Sequence, residues 1–578
     1  MHESSMYRWI VNRTNSEYIE YISKIASVSP TFAQILINRG IKTLDKIYSF
    51  LSPDVRKLSD PFDMPDIKIA VQRIKEALKL RQRVLVHGDY DVDGITATAV
   101  MYQGLRKFGL DVHYFIPNRM IHGYGFNLAG LQKAKDIGAD LIITVDCGIS
   151  SFEAVSRANT LGIDVIITDH HEPLRRSEVR SHESRISSEF LLPEALAIIN
   201  PKLINYGPHL ILSGAGVAFM LIMALFENNI DDVYEFLDLV ALGTTADVVP
   251  VIEDNRIILK EGIKLIQDGY RKGIKALKEV AGIRSDFFKT SYLYFMINPR
   301  INSAGRIDDA KDVVRLLTTD LESESEELAL WLNSLNQKRQ EIEESVYNEA
   351  REFIERNYDT EKNAIVLFKE GWHPGVVGIV ASRLAEEFYK PTFILSIKDG
   401  IAKGSARSIP DIDIFDALTQ CKDILKRFGG HKQAAGLMLL SDDLSEFTDR
   451  INKIIKERLG EEEITPVLNI DAAVTLSDVN IKLVEEFSRL EPFGYGNDLP
   501  LLGAKGVEVI NPRVVGNNHL KMYLRQNNSR MDSIGFDFGS YLDSIDYKID
   551  IAFTPVINEW EKGRFLQLNI KAIRPAQF

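Results

Sequence analysis

The sequence predicts an α/β protein: a parallel-sheet domain and a second α/β domain joined by a long helix, with a small β-barrel at the C-terminal end. Three observations carry this. From about residue 82 to 200, short β-rich runs alternate with helical stretches, the pattern of a parallel sheet with helices on both faces. Residues 318 to 357 are charged and helix-periodic. From 465 to 578, short strand candidates follow one another at barrel spacing.

The elements follow in order. Residues 1–80 read as a helical segment, in which "SPTFAQILINRGIKTLDKIYSFLSP" carries two short helices around Arg39-Gly40. The parallel-sheet domain spans 81–317. Its strands are "RVLVH", "DVHYFIP", "DLIITVD", "DVIITDHH" and "ALAIIN", with helices such as "GITATAVMYQGLRKFG" and "SSFEAVSRANTLG" between them. The polar run "RRSEVRSHESRISSEF" reads as an exposed insertion. Helices dominate from about 213 to 280. A connecting helix occupies 318–362, and the second α/β domain, opening on "NAIVLFKEGWHPGVVGIVASRLAEEF", occupies 363–460. Residues 461–578 form the barrel, with strands in "KMYLRQN", "SIGFDFG", "DIAFTPVI" and "FLQLNIKAI".

Composition bounds the class. The chain has 578 residues, enough for several cores, with 45% apolar and 26% charged residues. No apolar run reaches the roughly 18 residues of a membrane span, and "MHESSMYRWIVNRTNSEY" lacks a signal-peptide core. A cytoplasmic protein with no membrane partner is expected. Cys147 and Cys421 form no spacing motif and imply neither a disulfide framework nor a zinc-thiolate site. A net charge of −13 argues mildly against nucleic-acid binding, which needs Lys and Arg. A basic cleft in an acidic protein is compatible with it, and metal-binding carboxylates themselves add to the acidic count.

Carboxylates and imidazoles gather at predicted strand ends, where open parallel sheets bind ligands. In "VLVHGDYDVDG" the first strand ends in His87, followed by Asp89, Asp91 and Asp93. "LIITVDCG" ends in Asp146, and "VIITDHH" in Asp169, His170 and His171. Asp247 lies in "ALGTTADVVP". Two unit charges about 4 Å apart interact by roughly 4 kcal/mol at an effective dielectric near 20. Four or five converging carboxylates must therefore take up protons or hold cations. Oxygen ligands with a few imidazoles and no thiolate suit Mn²⁺ or Mg²⁺, and the number of acids suggests two ions with one carboxylate bridging. Each piece has a plainer reading: a calcium loop or polar turn for "DYDVDG", a surface turn for "DHH", a helix N-cap for Asp146. An EF-hand is excluded, since a strand precedes the loop and the bidentate Glu is missing. The recurrence at successive strand ends favours the metal site.

These stretches resemble a known family. "HGDYDVDG", "VDCG", "TDHH" and "GTTADVVP" are similar to the four motifs of the DHH phosphoesterase superfamily. "INPRINSAGRIDDA", "GWHPGVVGIVASRL", "GSARSI", "FGGHKQAAG" and "LEPFGYGNDLP" narrow the resemblance to its bacterial single-strand-specific exonucleases, from about residue 25 to the C-terminal end. The resemblance implies a DHH catalytic domain, a DHHA1 domain across a cleft, and an oligonucleotide-binding (OB) barrel. It implies 5′→3′ degradation of single-stranded DNA to mononucleotides with two Mn²⁺ or Mg²⁺ ions, in recombination and mismatch repair. By position, His87 and Asp91 would hold one ion. Asp93, His170 and Asp247 would hold the other, and Asp146 would bridge both. His171 would contact the scissile phosphate, and Asp89 would orient His87 or a metal water. Two such ions can activate water and stabilise both attacking and leaving oxygens.

Selection of an end needs a phosphate clamp. The resemblance points to Arg119 in "IPNRMIHGYG", Arg300 or Arg306 in "PRINSAGR", and Ser405 with Arg407 in "GSARSI", because guanidinium forks grip phosphate. His431 and Lys432 in "FGGHKQAAG" are expected to approach phosphate, and His373 in "GWHPG" ranks below them. Phe493, Tyr495 and Tyr523 either stack on bases or fill the barrel core. A cleft too narrow for duplex would give strand selectivity by shape, without base reading. A helicase and a single-strand-binding protein are the expected partners of a monomer. Two other readings compete: a DHH phosphodiesterase for short oligonucleotides or cyclic dinucleotides, for which a barrel is superfluous, and a non-enzymatic scaffold, which would have lost ligands.

Overall fold

The computed structural model describes residues 7–175, 185–186, 189–204, 206–284, 287–357, 362–460, 465–560 and 563–576. The expected insertion at 175–190 falls mostly outside them. The chain forms two compact units: Met1–Asn298, Ala310–Glu326 and Thr465–Phe578 make one, and Pro299–Asp309 with Glu327–Ile464 make the other.

The first unit is built on a five-stranded sheet in the order Asp111–Phe115, Arg83–His87, Leu141–Val145, Asp164–Thr168, Ala197–Ile199, parallel throughout. The central strands are buried almost end to end, which is why they read as unbroken apolar runs rather than alternating ones. The chain steps outward from Arg83–His87 to Asp111–Phe115 and then crosses back to Leu141–Val145. That reversal opens a crevice at the C-terminal ends of Arg83–His87 and Leu141–Val145. The helix Val92–Phe108 starts there, capped by the Asp91 carboxylate, which accepts from the Gly94 N–H at 3.0 Å. The helix Gly214–Leu225 is buried along its whole length, and Leu237–Ala246 almost so.

The N-terminal region is helical at Ser16–Ala26, Pro30–Asn38 and Leu44–Leu51. It also holds a strand, Arg8–Val11, paired in parallel with Val467–Ile470. Its apolar residues, among them Ile22, Phe32, Leu36 and Ile47, share one core with Leu502, Leu520, Phe553 and Ile570 of the C-terminal barrel. The barrel runs Leu502–Val515, His519–Gln526, Ser529–Gly535, Gly563–Pro575, Lys548–Trp560, and closes where Lys548–Trp560 returns to Leu502–Val515. This is the five-stranded closed sheet that the motifs implied.

One buried side chain ties these parts together. Arg256, 2% exposed on the helix Glu253–Asp268, donates to the carbonyls of Phe50 at 2.8 Å, Leu490 at 2.7 Å and Glu491 at 2.8 Å. Its guanidinium lies 3.8 Å from the centre of the Phe50 ring. Burial pushes its pKa down to about 9.

The second unit carries a five-stranded sheet in the order Ile365–Glu370, Thr392–Lys398, Ile401–Arg407, Ala434–Leu440, Leu425–His431. Only its first pair is parallel. The helix Glu322–Asn357 begins in the first unit and continues in the second. Among the described residues, no helix is long and apolar enough to cross a membrane.

Removing Arg256 leaves several buried carbonyls without a donor, at a cost of about 1–3 kcal/mol for each group stranded. Arg256→Met is expected to lower the thermal midpoint of the unit by several degrees. A melting curve superimposable on wild type would show that the clamp contributes nothing.

Candidate metal centre

Three adjacent strands deliver the site. Arg83–His87 ends in His87 and leads into Asp89, Asp91 and Asp93. Leu141–Val145 leads into Asp146, and Asp164–Thr168 into Asp169, His170 and His171. Asp146 sits at φ +58°, a left-handed turn that aspartate tolerates better than most residues. Asp247 arrives differently from the rest, at the end of the helix Leu237–Ala246.

Donor atoms of these residues gather into three groups, each within 4.8 Å: Asp93, His170 and Asp247; Asp146, His170 and His171; Asp89, Asp91 and Asp146. Asp146 belongs to two of them, and its Oδ1 lies 3.1 Å from His170 Nε2. His170 Nε2 is 3.8 Å from Asp93 Oδ2, and its Nδ1 is 3.7 Å from Asp247 Oδ2. His87 is in none of the groups. Its ring is fully buried beside Phe115 and Phe126, with Nδ1 3.8 Å from Cys147 Sγ.

The electrostatics show what the arrangement needs. Burial, then the neighbouring acids, raises Asp89 and Asp146 well above the carboxylate range. Burial with Asp93 and Asp91 takes Asp247 to about 8. Asp93 is raised to about 6 by burial, although it accepts from the N–H groups of Gly214 at 2.6 Å and Ala215 at 2.9 Å. Burial lowers His87 to about 4 and, with the charge of His171, His170 to about 3, so both are neutral and keep a lone pair. Among the described residues, three buried atoms of the site have no hydrogen-bond partner: Asp89 Oδ1, Asp146 Oδ1 and His87 Nε2. Crowded carboxylates, neutral imidazoles and unpaired lone pairs fit divalent cations with oxygen and nitrogen ligands.

Asp169 and His171 behave differently. Burial alone would raise Asp169. Instead it is held at about 2 by His171, whose Nδ1 lies 2.7 Å from its Oδ1, and by N–H donors from Ile149, His170 and His171. The same contact overrides burial at His171 and raises it to about 9, so its half-exposed ring is cationic at neutral pH. The Tyr124 hydroxyl lies 3.1 Å from His171 Nδ1.

Sequence reading gave Asp169 no role of its own, though its place directly before the two histidines was the available signal. It also missed Tyr124, Gly214 and Gly243. A Cβ on Gly214 would stand 2.4 Å from Asp146 Oδ1, and one on Gly243 2.4 Å from Asp93 Oδ1. Only glycine lets these two helices approach the ligands so closely.

The phosphate candidates divide between the units. In the first, Arg119 lies over the Tyr90 ring at 5.6 Å, and its charge acts on Asp89. In the second, Arg306 donates to the Gly375 carbonyl at 3.1 Å, and Arg300 to Asn333 at 3.0 Å. Arg407 donates to Ser405 Oγ at 2.6 Å. Both side chains lie against Gly378, at the start of the helix Val377–Phe388. His431 and Lys432 are exposed where Leu425–His431 turns toward Ala434–Leu440. His373 Nδ1 accepts from the Gly375 N–H at 3.0 Å. Of the aromatics, Phe493 packs on the barrel core, Tyr523 lies under Arg530, and Tyr495 is exposed.

Residues 83–244 match the DHH family, N-terminal domain; 361–457 match the DHHA1 domain; and 470–572 match the RecJ OB domain. The chain is 37% identical over 576 residues to the single-stranded-DNA-specific exonuclease RecJ of Bacillus subtilis, covering 98% of this chain and 71% of that protein. It is 35% identical to the Escherichia coli RecJ, covering 95% and 96%. The crystal structure of RecJ from Thermus thermophilus in complex with Mn²⁺ superposes with a TM-score of 0.84 at 29% identity, covering 99% of this chain and 80% of that one.

Cations entering this site must displace protons from Asp93 and Asp247, whose pKa values are raised to about 6 and 8. Raised values mean that protons are bound below them, so Mn²⁺ affinity rises with pH across that window. The expected slope is about tenfold per pH unit for each proton displaced. Calorimetry in buffers of different ionisation enthalpy measures it; affinity independent of pH from 6 to 8 would contradict the arrangement.

Proposed function

The chain belongs to the RecJ family, and from that premise we propose that it hydrolyses single-stranded DNA from the 5′ end, releasing mononucleotides. It is a metal-dependent, single-strand-specific exonuclease. The observation that carries the reading is the gathering of Asp93, Asp146, His170 and Asp247, with Asp89 and Asp91, among which the buried Asp89 Oδ1 and Asp146 Oδ1 have no hydrogen-bond partner among the described residues.

We assign one Mn²⁺ or Mg²⁺ ion to Asp93, His170 and Asp247 and a second to Asp91 and His87, with Asp146 shared. Asp89 supports the second group. When bound, the two ions supply an activated water and neutralise charge on the phosphate. The remaining work belongs to the side chains. His171, kept protonated by Asp169, donates to a non-bridging oxygen of the scissile phosphate. Asp169 is held ionised by His171 and by the N–H groups of Ile149, His170 and His171, against the effect of its burial. No side chain is required as a covalent nucleophile.

Arg306, Ser405 and Arg407 are proposed to receive the 5′-phosphate, together with the amides that open the helix Val377–Phe388. What supports this is their convergence on the short segment Gly375–Gly378. Arg119 and Arg300 are assigned to the neighbouring backbone, and His431 and Lys432 to phosphates further along. The OB barrel has no use in a hydrolase of short oligonucleotides or cyclic dinucleotides, and the near full-length RecJ matches favour the exonuclease. A helicase that supplies strands, a single-strand-binding protein, a monomeric state and a cytoplasmic location complete the proposal.

End-labelled single strands digested with Mn²⁺, and again with EDTA, test the activity. Asp146→Ala is expected to reduce hydrolysis to background while keeping the wild-type melting point; full activity in that variant would refute the shared-ligand assignment. Arg407→Ala is expected to cut the preference for a 5′-phosphate over a 5′-hydroxyl by about tenfold, the worth of one charge-assisted hydrogen bond. An unchanged preference would misplace the pocket.

A further inference from the structure

The second unit protects one edge of its sheet and leaves the other open. A strand at a sheet edge presents N–H and C=O groups to any chain that approaches, and proteins blunt such edges with charges, bulges or prolines. The edge strand Leu425–His431 is blunted in this way: it bulges between Leu425 and Arg427 and exposes the charges of Lys426 and Arg427. The opposite edge strand, Ile365–Glu370, has no such device over residues 365–368, which read Ile-Val-Leu-Phe. It pairs in unbroken register with Thr392–Lys398, and among the described residues no strand pairs with its other side. The Ile365 N–H donates at 2.9 Å to the carbonyl of Pro391, which leads into that neighbour. Backbone groups alternate sides along a strand, so Val366, Phe368 and Glu370 turn theirs to the open side.

Beside this edge lies a cavity of about 470 Å³, walled by Phe353, Val366, Leu367, Phe368 and Trp372. Phe353 comes from the helix Glu322–Asn357 and is 51% exposed; Phe368 is 44% exposed. Leu367 shares a buried cluster with Ala350 and Ile354 of that helix, whereas Val366 belongs to the cluster on the other face of the sheet. Phe368 follows Val366 on that other face, because side chains alternate. A strand added here meets an aromatic ring on each face, Phe353 on one and Phe368 on the other. The charges on the walls answer one another. Glu349 pairs with Lys369 at 2.7 Å and accepts from the Trp372 indole at 3.0 Å, and Glu352 pairs with Arg356 at 2.6 Å.

We propose that this edge and groove dock an extended, uncharged segment of another protein, added to the sheet as a further strand. Main-chain hydrogen bonds to Val366, Phe368 and Glu370 supply affinity, and apolar side chains at alternate positions supply the fit. The surface itself selects this occupant. A helix satisfies its own backbone and cannot serve groups set out at the strand repeat. A charged segment meets a groove whose acids and bases balance. A second copy of this chain is a poor match, since antiparallel pairing centred on Phe368 sets the apolar Val366 opposite Glu370. None of these residues is a metal ligand or a phosphate candidate, so docking is a separate function of the second unit.

The probe is a phage-displayed library of peptides roughly ten residues long, a strand with its flanks, panned on the full chain. Enriched sequences are expected to carry apolar residues at alternate positions and few charges. A synthesised member is expected to slow amide exchange at Phe368 and Glu370 when bound. Phe368→Pro removes one outward N–H and spares the ladder to Thr392–Lys398; it is expected to weaken that peptide about tenfold, the scale of one lost backbone hydrogen bond. Phe368→Leu, which keeps the N–H and an apolar side chain, should retain binding. Phe353→Glu, at an exposed helix position, should weaken binding likewise without touching the sheet. Wild-type affinity in both Phe368→Pro and Phe353→Glu, or no enrichment of alternating sequences, would overturn the proposal. So would a dimer of the full chain in sedimentation that Phe368→Pro dissolves, which assigns the edge to a second copy.

Discussion

The constraint on which the first unit depends is mutual repulsion among carboxylates held out of water. Asp89, Asp93 and Asp146 are each 3% exposed or less. Their pKa values, and that of the less buried Asp247, rise together because burial disfavours their charge and each stands near another acid. A sheet of apolar strands can carry such a group only at a point where its edge opens, and the reversal of strand order supplies that point. Divalent cations relieve the repulsion more fully than protons, since one ion neutralises two acids and satisfies lone pairs that no donor reaches.

Asp169 shows that burial alone does not decide the outcome. It is as deeply buried as the ligands, yet it stays ionised, because donors from three residues and the His171 ring surround it. The site therefore contains two classes of acid at the ends of neighbouring strands. One class is short of donors and fits cations. The other is saturated with donors and fixes the shape of the turn that carries His170 and His171. Asp93 lies between them: the amides that start Gly214–Leu225 hold its carboxylate, and a lone pair remains toward His170.

Much of this was legible in the residues. The five strands of the parallel sheet read directly, because strands buried on both faces are unbroken apolar runs, and the acids at their ends stood out against them. The barrel read as regularly spaced short strands. What stayed hidden depended on partners remote in sequence. The strand Arg8–Val11 is four residues long and finds its partner at Val467–Ile470, so nothing local marked it. Gly214 and Gly243 matter for what they leave out beside an aspartate. Arg256 looked like any helix arginine until the carbonyls of 489–492 closed around it. His87 read as a ligand by its motif position; the fold buries its ring beside Phe115 and Phe126, outside the three gathered groups, and leaves Nε2 without a partner among the described residues, which suits the ligand role proposed for it.

The core shared by the N-terminal helices and the barrel has a consequence for synthesis on the ribosome. Phe32, Leu36 and Ile47 emerge early, but Leu502, Phe553 and Ile570, which cover them, emerge more than four hundred residues later. At roughly 5–20 residues per second, that interval lasts on the order of a minute. Throughout it the nascent chain carries a sticky helical patch that it cannot bury by itself. Holding chaperones are the natural cover for that wait, and a stalled or truncated message would release a fragment with its oily face open to aggregation.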